Sequence, residues 1–362
     1  MPASVLPFPH QIHRVAIDER LDIERPEALL AYLHASGRIA AGERPELRAL
    51  SGGVSSRVVL VEREAPEQAW VLKQALPKLR VAVDWFSSPQ RVQREALALR
   101  WIPALTSPGS TPALVWEDRA VDLLAMTAVP QPHENWKHAL LRGKGLEHAA
   151  AFGQLLGQLH RRAWERRAEL ASVFADRSFF ESLRIEPYYL YAASRAADAE
   201  PFLRALVDDA RREVHTLVHG DYSPKNVLVY DGRLVLLDHE VAHFGDPAFD
   251  VGFSTTHLLS KANHLLTLTD DFTRAAAESW RAYSGEVATT EFAGAVEARA
   301  VRHTLGCLLA RVDGRSPLEY LDEPARRRQR AAVLALMQRP PRAMLDLIGE
   351  WRERIGGADA GD

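Results

Sequence analysis

A single cysteine, Cys307, stands among 362 residues. That excludes an internal disulfide framework and a cysteine-based zinc site, and it suits a reducing compartment. Lysine is scarce as well: arginine is the default cation, and the only lysines are Lys73, Lys78, Lys137, Lys144, Lys225 and Lys261. A lysine inside a strand or a motif is therefore informative. No run reaches the roughly 18 apolar residues that a membrane span needs, and the opening MPASVLPFPHQIHRVAIDE lacks the charged and then apolar pattern of a secretory leader. Charge of one sign is missing too, since 45 basic and 48 acidic residues leave a net charge of −3. Such a balance provides no field for nucleic acid or a membrane surface. Internal repeats and low-complexity segments are absent. The expectation is a cytoplasmic protein with neither nucleic acid nor membrane as partner.

What is present is an ordinary globular composition, 47% hydrophobic and 26% charged, in a chain too long for one compact core. Two lobes are expected, residues 1–128 and 129–362. A helix over Pro26–Ala35 places Leu29, Leu30 and Leu33 on one face. From residue 46 the pattern changes to strand, glycine turn and strand: Leu47–Leu50, then Ser51-Gly-Gly-Val-Ser-Ser56, then Val58–Val61. Another strand, Ala69–Gln74, carries Lys73, whose ammonium needs an anionic partner in an apolar setting. Ser88-Pro89 opens a helix running to Ile102, with Val92, Ala96 and Leu99 inward and Glu95 on a neighbouring stripe.

Strands Ala113–Trp116 and Val121–Met126 complete a five-stranded antiparallel sheet, and Thr127-Ala-Val-Pro-Gln-Pro132 breaks the pattern as a hinge between lobes. Beyond it the chain is mostly helical. The expected helices cover Leu146–Glu165, Phe272–Tyr283, Phe292–Ala310, Glu323–Gln338 and Arg342–Ile355. Arg326–Arg330 reads as a solvated helix face. The aromatic stretch Phe179–Tyr189 reads as core packing in preference to a substrate pocket, and His160 as a packed histidine in preference to a ligand.

The chemistry gathers in VHGDYSPKNVLVYDGRLVLLDHEVAHFGDPAFDVGF, residues 218–253, which reads as a polar turn, an apolar strand pair, a second polar turn and a third loop. Carboxylates beside buried strands are unfavourable unless they are paired or hold a metal. Asp221 followed by Pro224 and Asn226 has the spacing of a kinase catalytic loop, in which the aspartate orients the acceptor hydroxyl and the asparagine binds a metal ion. Asp238, after the second strand, stands where a further metal-binding aspartate belongs, and Glu240 is either a ligand or a neighbour of one. Magnesium takes hard oxygen ligands of this kind together with nucleotide phosphates. In kinases a lysine on the third strand and a glutamate on the next helix position the phosphates, which suits Lys73 and Glu95. Gly52, Gly53 and Ser55 either approach those phosphates or simply form a hairpin turn. Met126 and Ala128 flank the hinge, where backbone groups would meet adenine. Lys225 either reaches the γ-phosphate or pairs with a nearby acid.

HGDYSPKN, LLDHE and GDPAFDVGF resemble the aminoglycoside phosphotransferase and choline kinase superfamily over roughly residues 45–320. The resemblance implies an α+β, protein-kinase-like fold with an antiparallel sheet in the N-terminal lobe and a mostly helical C-terminal lobe. It implies ATP as co-substrate, Mg2+ as cofactor and a small hydroxyl-bearing acceptor as partner. It makes Asp221 catalytic and Asn226 with Asp238 the magnesium ligands, and it gives His219 and Asp250 a bracing role. Within the superfamily, Leu72-Lys-Gln-Ala-Leu-Pro77, Asp84-Trp85 and the D-x-E of Asp238 and Glu240 are most similar to the methylthioribose kinase branch. Asn226 stands where that branch carries serine, and Arg311 is the nearest counterpart of its substrate-side arginines. The expected activity is phosphoryl transfer to a sugar or thiosugar. The alternatives are an aminoglycoside-modifying enzyme, for which residues 302–330 offer no acidic cluster, and a non-catalytic nucleotide-binding pseudokinase, against which every catalytic position is filled.

Overall fold

Alternating and β-branched segments between residues 46 and 127 pair as the sequence predicts. In the computed structural model, which describes residues 21–50, 53–64, 68–81 and 84–356, five strands form one antiparallel sheet. They are β1 (Glu46–Ala49), β2 (Ser56–Glu62), β3 (Trp70–Ala75), β4 (Leu114–Asp118) and β5 (Leu123–Thr127), ordered β1-β2-β3-β5-β4. Lys73 sits in the centre of the sheet, opposite Val58 on one side and Leu124 on the other. The Arg91–Leu105 helix lays Val92, Ala96 and Leu99 on Ala75, Leu124 and Met126, so Glu95, one residue from Ala96, is carried to the level of Lys73. That helix starts later than Ser88-Pro89 suggests. The two residues form a preceding turn, with the Arg91 and Val92 amides donating to the carbonyls of Ser88 and Pro89.

The described residues from 21 to Arg44 belong to a compact unit of their own, with the Pro26–Ala35 helix burying Leu29 and Leu33 as expected. From Pro45 onward the chain is a second unit. After β5 it runs through β6 (His133–Asn135) into helices, of which Ala149–Glu165 packs along Thr269–Val287. Two short sheets hold the polar turns: β7 (Thr216–Val218) pairs with β10 (His243–Gly245), and β6 lies beside β8 (Val227–Tyr230) and β9 (Arg233–Leu236). Ala293–Asp313, Glu323–Gln338 and Met344–Gly356 close the helical layer.

Three expectations are corrected. GDPAFDVGF is not a loop: Asp246 caps the Ala248 amide, Pro247 takes the first helical position, and a buried helix runs from Pro247 to His264. A helix over Glu200–Arg212 also lies where none was expected. Arg326–Arg330 is not a solvated face either. Arg328 donates to Asn263, Arg330 pairs with Asp313, Arg326 reaches the Leu321 carbonyl and Gln329 is buried, so the run fastens its helix to its neighbours.

Buried histidines make this fold sensitive to acid. His243, in β10 and stacked on Phe180, and His303, bonded to the Tyr189 hydroxyl, are each pushed down to about 4 by burial. An unfolded histidine titrates near 6.5, so their neutral forms favour the native state fully above that value, and the contribution is lost as pH falls toward 4. Each should contribute a slope approaching 1.4 kcal/mol per pH unit, about the value of one proton. The urea midpoint should therefore fall on going from about pH 7 to about pH 5, and His243→Phe should flatten the fall. An unchanged midpoint would contradict this account.

Candidate active site

The polar turn after β7 is built on a glycine. Gly220 has φ +78, and a Cβ there would meet the Val241 carbonyl at 2.9 Å, so both the conformation and the space require glycine. Asp250, from the buried Pro247–His264 helix, accepts from the His219 amide at 2.6 Å and the Gly220 amide at 2.8 Å, and it lies 3.2 Å from His160 Nε2. Burial acts to raise the Asp250 pKa, but the bonds and charges of His160 and His219 hold it below the ordinary aspartate value. His219 is kept neutral by burial, bonding through Nε2 to the Leu237 carbonyl and accepting through Nδ1 from the Asp221 amide at 3.1 Å. These contacts fix the backbone on either side of Asp221.

The Asp221 carboxylate is held from two directions. Asn226 Nδ2 donates to Oδ2 at 2.7 Å and to the Asp221 carbonyl at 3.0 Å, while Arg184 Nη2 pairs with Oδ1 at 2.6 Å. With its amide nitrogen committed to Asp221, Asn226 has its oxygen left as a hard acceptor. Arg184 was not foreseen among the site residues. It lies in the wide helical stretch Glu181–Leu190, where Leu183, Ile185, Tyr188 and Tyr189 do pack into the core as expected, and its guanidinium alone turns to the catalytic loop.

Lys73 lies among three carboxylates. It contacts Glu95 Oε2 at 2.7 Å, bonds directly to Asp238 Oδ1 and lies 3.9 Å from Glu240 Oε2. Burial opposes its charge, yet these acids together raise the Lys73 pKa. Glu95, fully buried, is pushed up to about 7 by desolvation and by its neighbouring carboxylates, against the pull of Lys73. Asp238, in a left-handed backbone conformation at φ 65, resists the same desolvation and stays well below the ordinary range because Lys73 and Lys225 favour its anion. Glu95, Asp238 and Glu240 present oxygens within 4.8 Å of one another, the hard donors that a divalent cation takes. Glu240 is further engaged by Arg91 Nε at 3.1 Å, a fully buried arginine that sequence reasoning also missed.

A cavity of about 790 Å3 opens above these groups. Gly53, Ser55 and Lys73 line its sheet side, Met126 and Ala128 its end, and Lys225, Asn226 and Asp238 its floor. Gly53 approaches its own loop closely, for a Cβ there would meet the Ser56 carbonyl at 2.8 Å. Ser55 contributes its carbonyl, which accepts from the Leu76 amide and from Arg91 Nη2. Gly52 lies outside the described residues. Lys225 is exposed and Asn135 donates to its carbonyl at 2.7 Å. Arg311 is placed apart from the cavity wall, buried against His257, Tyr188 and Phe253.

Comparison with known proteins places this arrangement. Curated relatives include methylthioribose kinase of Pectobacterium carotovorum subsp. carotovorum (strain PC1), 25% identical over 241 residues, and methylthioribose kinase 2 of Oryza sativa subsp. japonica, 26% identical over 260 residues. The matches cover 58% and 62% of this chain and 58% and 60% of those proteins, so the chain spans somewhat over half the length of the curated relatives it matches. Among solved structures, choline kinase from Cryptosporidium parvum Iowa II superposes with a TM-score of 0.55 at 10% identity, covering 92% of this chain and 99% of the other. The amicoumacin kinase hAmiN gives 0.54 at 12% identity, covering 83% and 90%. At such identities the likeness establishes the fold, an antiparallel sheet joined to a helical body as in these kinases. The sequence profile of the phosphotransferase enzyme family matches residues 46–295, and the chain belongs to that family.

Proposed function

We propose that the protein transfers the γ-phosphoryl group of ATP to a hydroxyl of a small metabolite, with a sugar or thiosugar as the first class to consider. The observation that carries this reading is Asn226, which holds the Asp221 carboxylate and lines the same cavity as Lys73, Glu95 and Asp238. Sequence similarity to methylthioribose kinases supports a small-metabolite acceptor. We assign residues 45–128 to nucleotide binding and residues from 129 to acceptor binding and catalysis, in a cytoplasmic enzyme.

Asn226 and Asp238 would hold Mg2+, with Glu240 beside them, and the ion would neutralise the nucleotide phosphates. Lys73, kept charged by its acids, positions the phosphates, and Glu95 positions Lys73. Asp221 accepts a hydrogen bond from the acceptor hydroxyl and points its oxygen along the line of attack. Gly53 allows the backbone to approach the phosphates, and the backbone between Met126 and Ala128 faces adenine. Lys225, whose charge already reaches Asp238, meets the γ-phosphate. His219 and Asp250 maintain the loop. A polycationic antibiotic is disfavoured as acceptor, because Arg184 rather than an acidic cluster stands beside Asp221.

The test is ADP release from Mg–ATP by the full chain across sugars, thiosugars, nucleosides, hydroxy acids and amino alcohols. Acceptor-dependent release is expected, with loss on adding EDTA and recovery on adding excess Mg2+. Nucleotide binding without turnover on any acceptor would instead identify a pseudokinase.

A further inference from the structure

Beside the catalytic loop the helical layer buries two basic side chains, Lys261 and Arg311, that have no ion-pair partner among the described residues. Lys261, on the Pro247–His264 helix, has no exposed surface; its Nζ donates to the His257 carbonyl at 3.1 Å and lies 5.3 Å from the Tyr320 ring centre. Arg311, 8% exposed, donates to the Ser316 carbonyl at 2.9 Å, lies 3.2 Å from His257 Nε2 and leaves its buried Nε without a partner. Among the described residues no carboxylate forms an ion pair with either. The remaining nearby acid, Glu319, is taken by Lys137, whose ammonium also lies 5.9 Å from the Tyr320 ring. Burial and the surrounding cations Arg311, Lys261 and Lys137 keep His257 neutral, so it accepts from Arg311 and adds no charge. Burial, followed by Lys137 and Arg311, depresses Lys261 to about 7.

These cations adjoin the reaction centre. The guanidiniums of Arg311 and Arg184 flank the same two rings, at 4.9 and 5.7 Å from Tyr188 and 5.2 and 5.6 Å from Phe253. Arg184 in turn pairs with Asp221 at 2.6 Å. Buried cations answered only by neutral acceptors are unfavourable, and an anion placed among them would be bound by strong charge-assisted hydrogen bonds.

We propose that Arg311 and Lys261 bind an anionic group of the phosphoryl acceptor, a carboxylate or a phosphate ester, whose hydroxyl is then set at Asp221. The acceptor class is a small hydroxy acid or a phosphorylated polyol or sugar, in preference to a neutral or cationic one. This inference rests on the kinase reading of the same site. It also accounts for the unpaired Nε of Arg311 and for the Tyr320 hydroxyl, which is buried without a partner.

The test is calorimetric titration of the full chain, saturated with Mg–ADP, using D-glycerate, glycerol 3-phosphate, glycerol and choline as probes. Saturable binding is expected for at least one anion. Binding of D-glycerate alone identifies a carboxylate site, and binding of glycerol 3-phosphate alone a phosphate site. Arg311→Met and Lys261→Met should each raise the dissociation constant for that anion by about tenfold or more while that for Mg–ADP is unchanged. Should either substitution also weaken Mg–ADP, Arg311→Lys, which keeps the charge, is expected to retain measurable anion binding. The proposal is overturned if neither anion saturates, if glycerol or choline binds in preference, or if anion affinity is unaltered in both methionine variants. Failure of the wild-type protein to bind Mg–ADP would sink the kinase reading itself, and this proposal with it.

Discussion

Asp221→Asn is expected to lower acceptor-dependent turnover by about a hundred- to ten-thousand-fold, the range lost with a positioned general base. The substitution preserves shape, so Asn226 Nδ2 can still donate to the remaining side-chain oxygen across what is now a 2.7 Å contact. What disappears is the negative charge proposed to orient the acceptor hydroxyl. Arg184 loses its carboxylate at the same time, so a modest fall in melting temperature should accompany the change. Lys73, Glu95 and Asp238, the groups proposed to meet the nucleotide, are joined by their own ion pairs, and Mg–ATP affinity should be nearly retained. Steady-state kinetics with a titration of Mg–ATP separates the two. Turnover within a few-fold of the parent would remove Asp221 from its assigned role, whereas loss of Mg–ATP binding would show that the two clusters act as one.

The second large effect concerns stability. Asp250→Ala removes the acceptor for the His219 and Gly220 amides and for His160, all buried. Each donor left unsatisfied costs about 1–3 kcal/mol, so the three together should destabilise the protein by at least about 3 kcal/mol. In a chain of this size that is a fall of several degrees in melting temperature. Asp250→Asn keeps an oxygen for one amide and should lie between the parent and Asp250→Ala. Activity should fall with both, because the backbone flanking Asp221 depends on these bonds. A melting temperature unchanged in Asp250→Ala would mean that water replaces the carboxylate, and the bracing role would be lost.

Much of this site was legible in the sequence where the signal is local. The apolar runs Val58–Val61 and Ala69–Gln74 on either side of turn residues located the central strands, and the D-x-x-P-x-N and D-x-E spacings brought out Asp221, Asn226, Asp238 and Glu240, which the fold gathers around Lys73 and Arg184. Three-residue strands such as β7 and β10 carry too little pattern to be seen, and they form because the longer elements hold them in register. The Pro247–His264 helix was misread although Asp246-Pro247 is a helix-start pair. Its residues are buried almost all round, so the apolar stripe that normally marks a helix has no polar face to contrast with. Arg184 and Arg91 were invisible for another reason. Each meets its carboxylate partner across a long separation in the chain, and nothing in the neighbouring residues distinguishes it from the many arginines that pair at the surface.

Arg91 has a consequence for how such a chain can be recombined. All five of its N–H groups are taken: Nε by Glu240, Nη1 by the carbonyls of Ser87 and Ser88, and Nη2 by those of Ser55 and Leu76. No other side chain offers five donors, so this arginine alone ties the backbone at positions 55, 76, 87 and 88 to the Glu240 carboxylate. A chimera that draws its glycine loop from one parent and its D-x-E loop from another keeps a working cleft only where both parents agree on this arginine and on the path of the backbone around it.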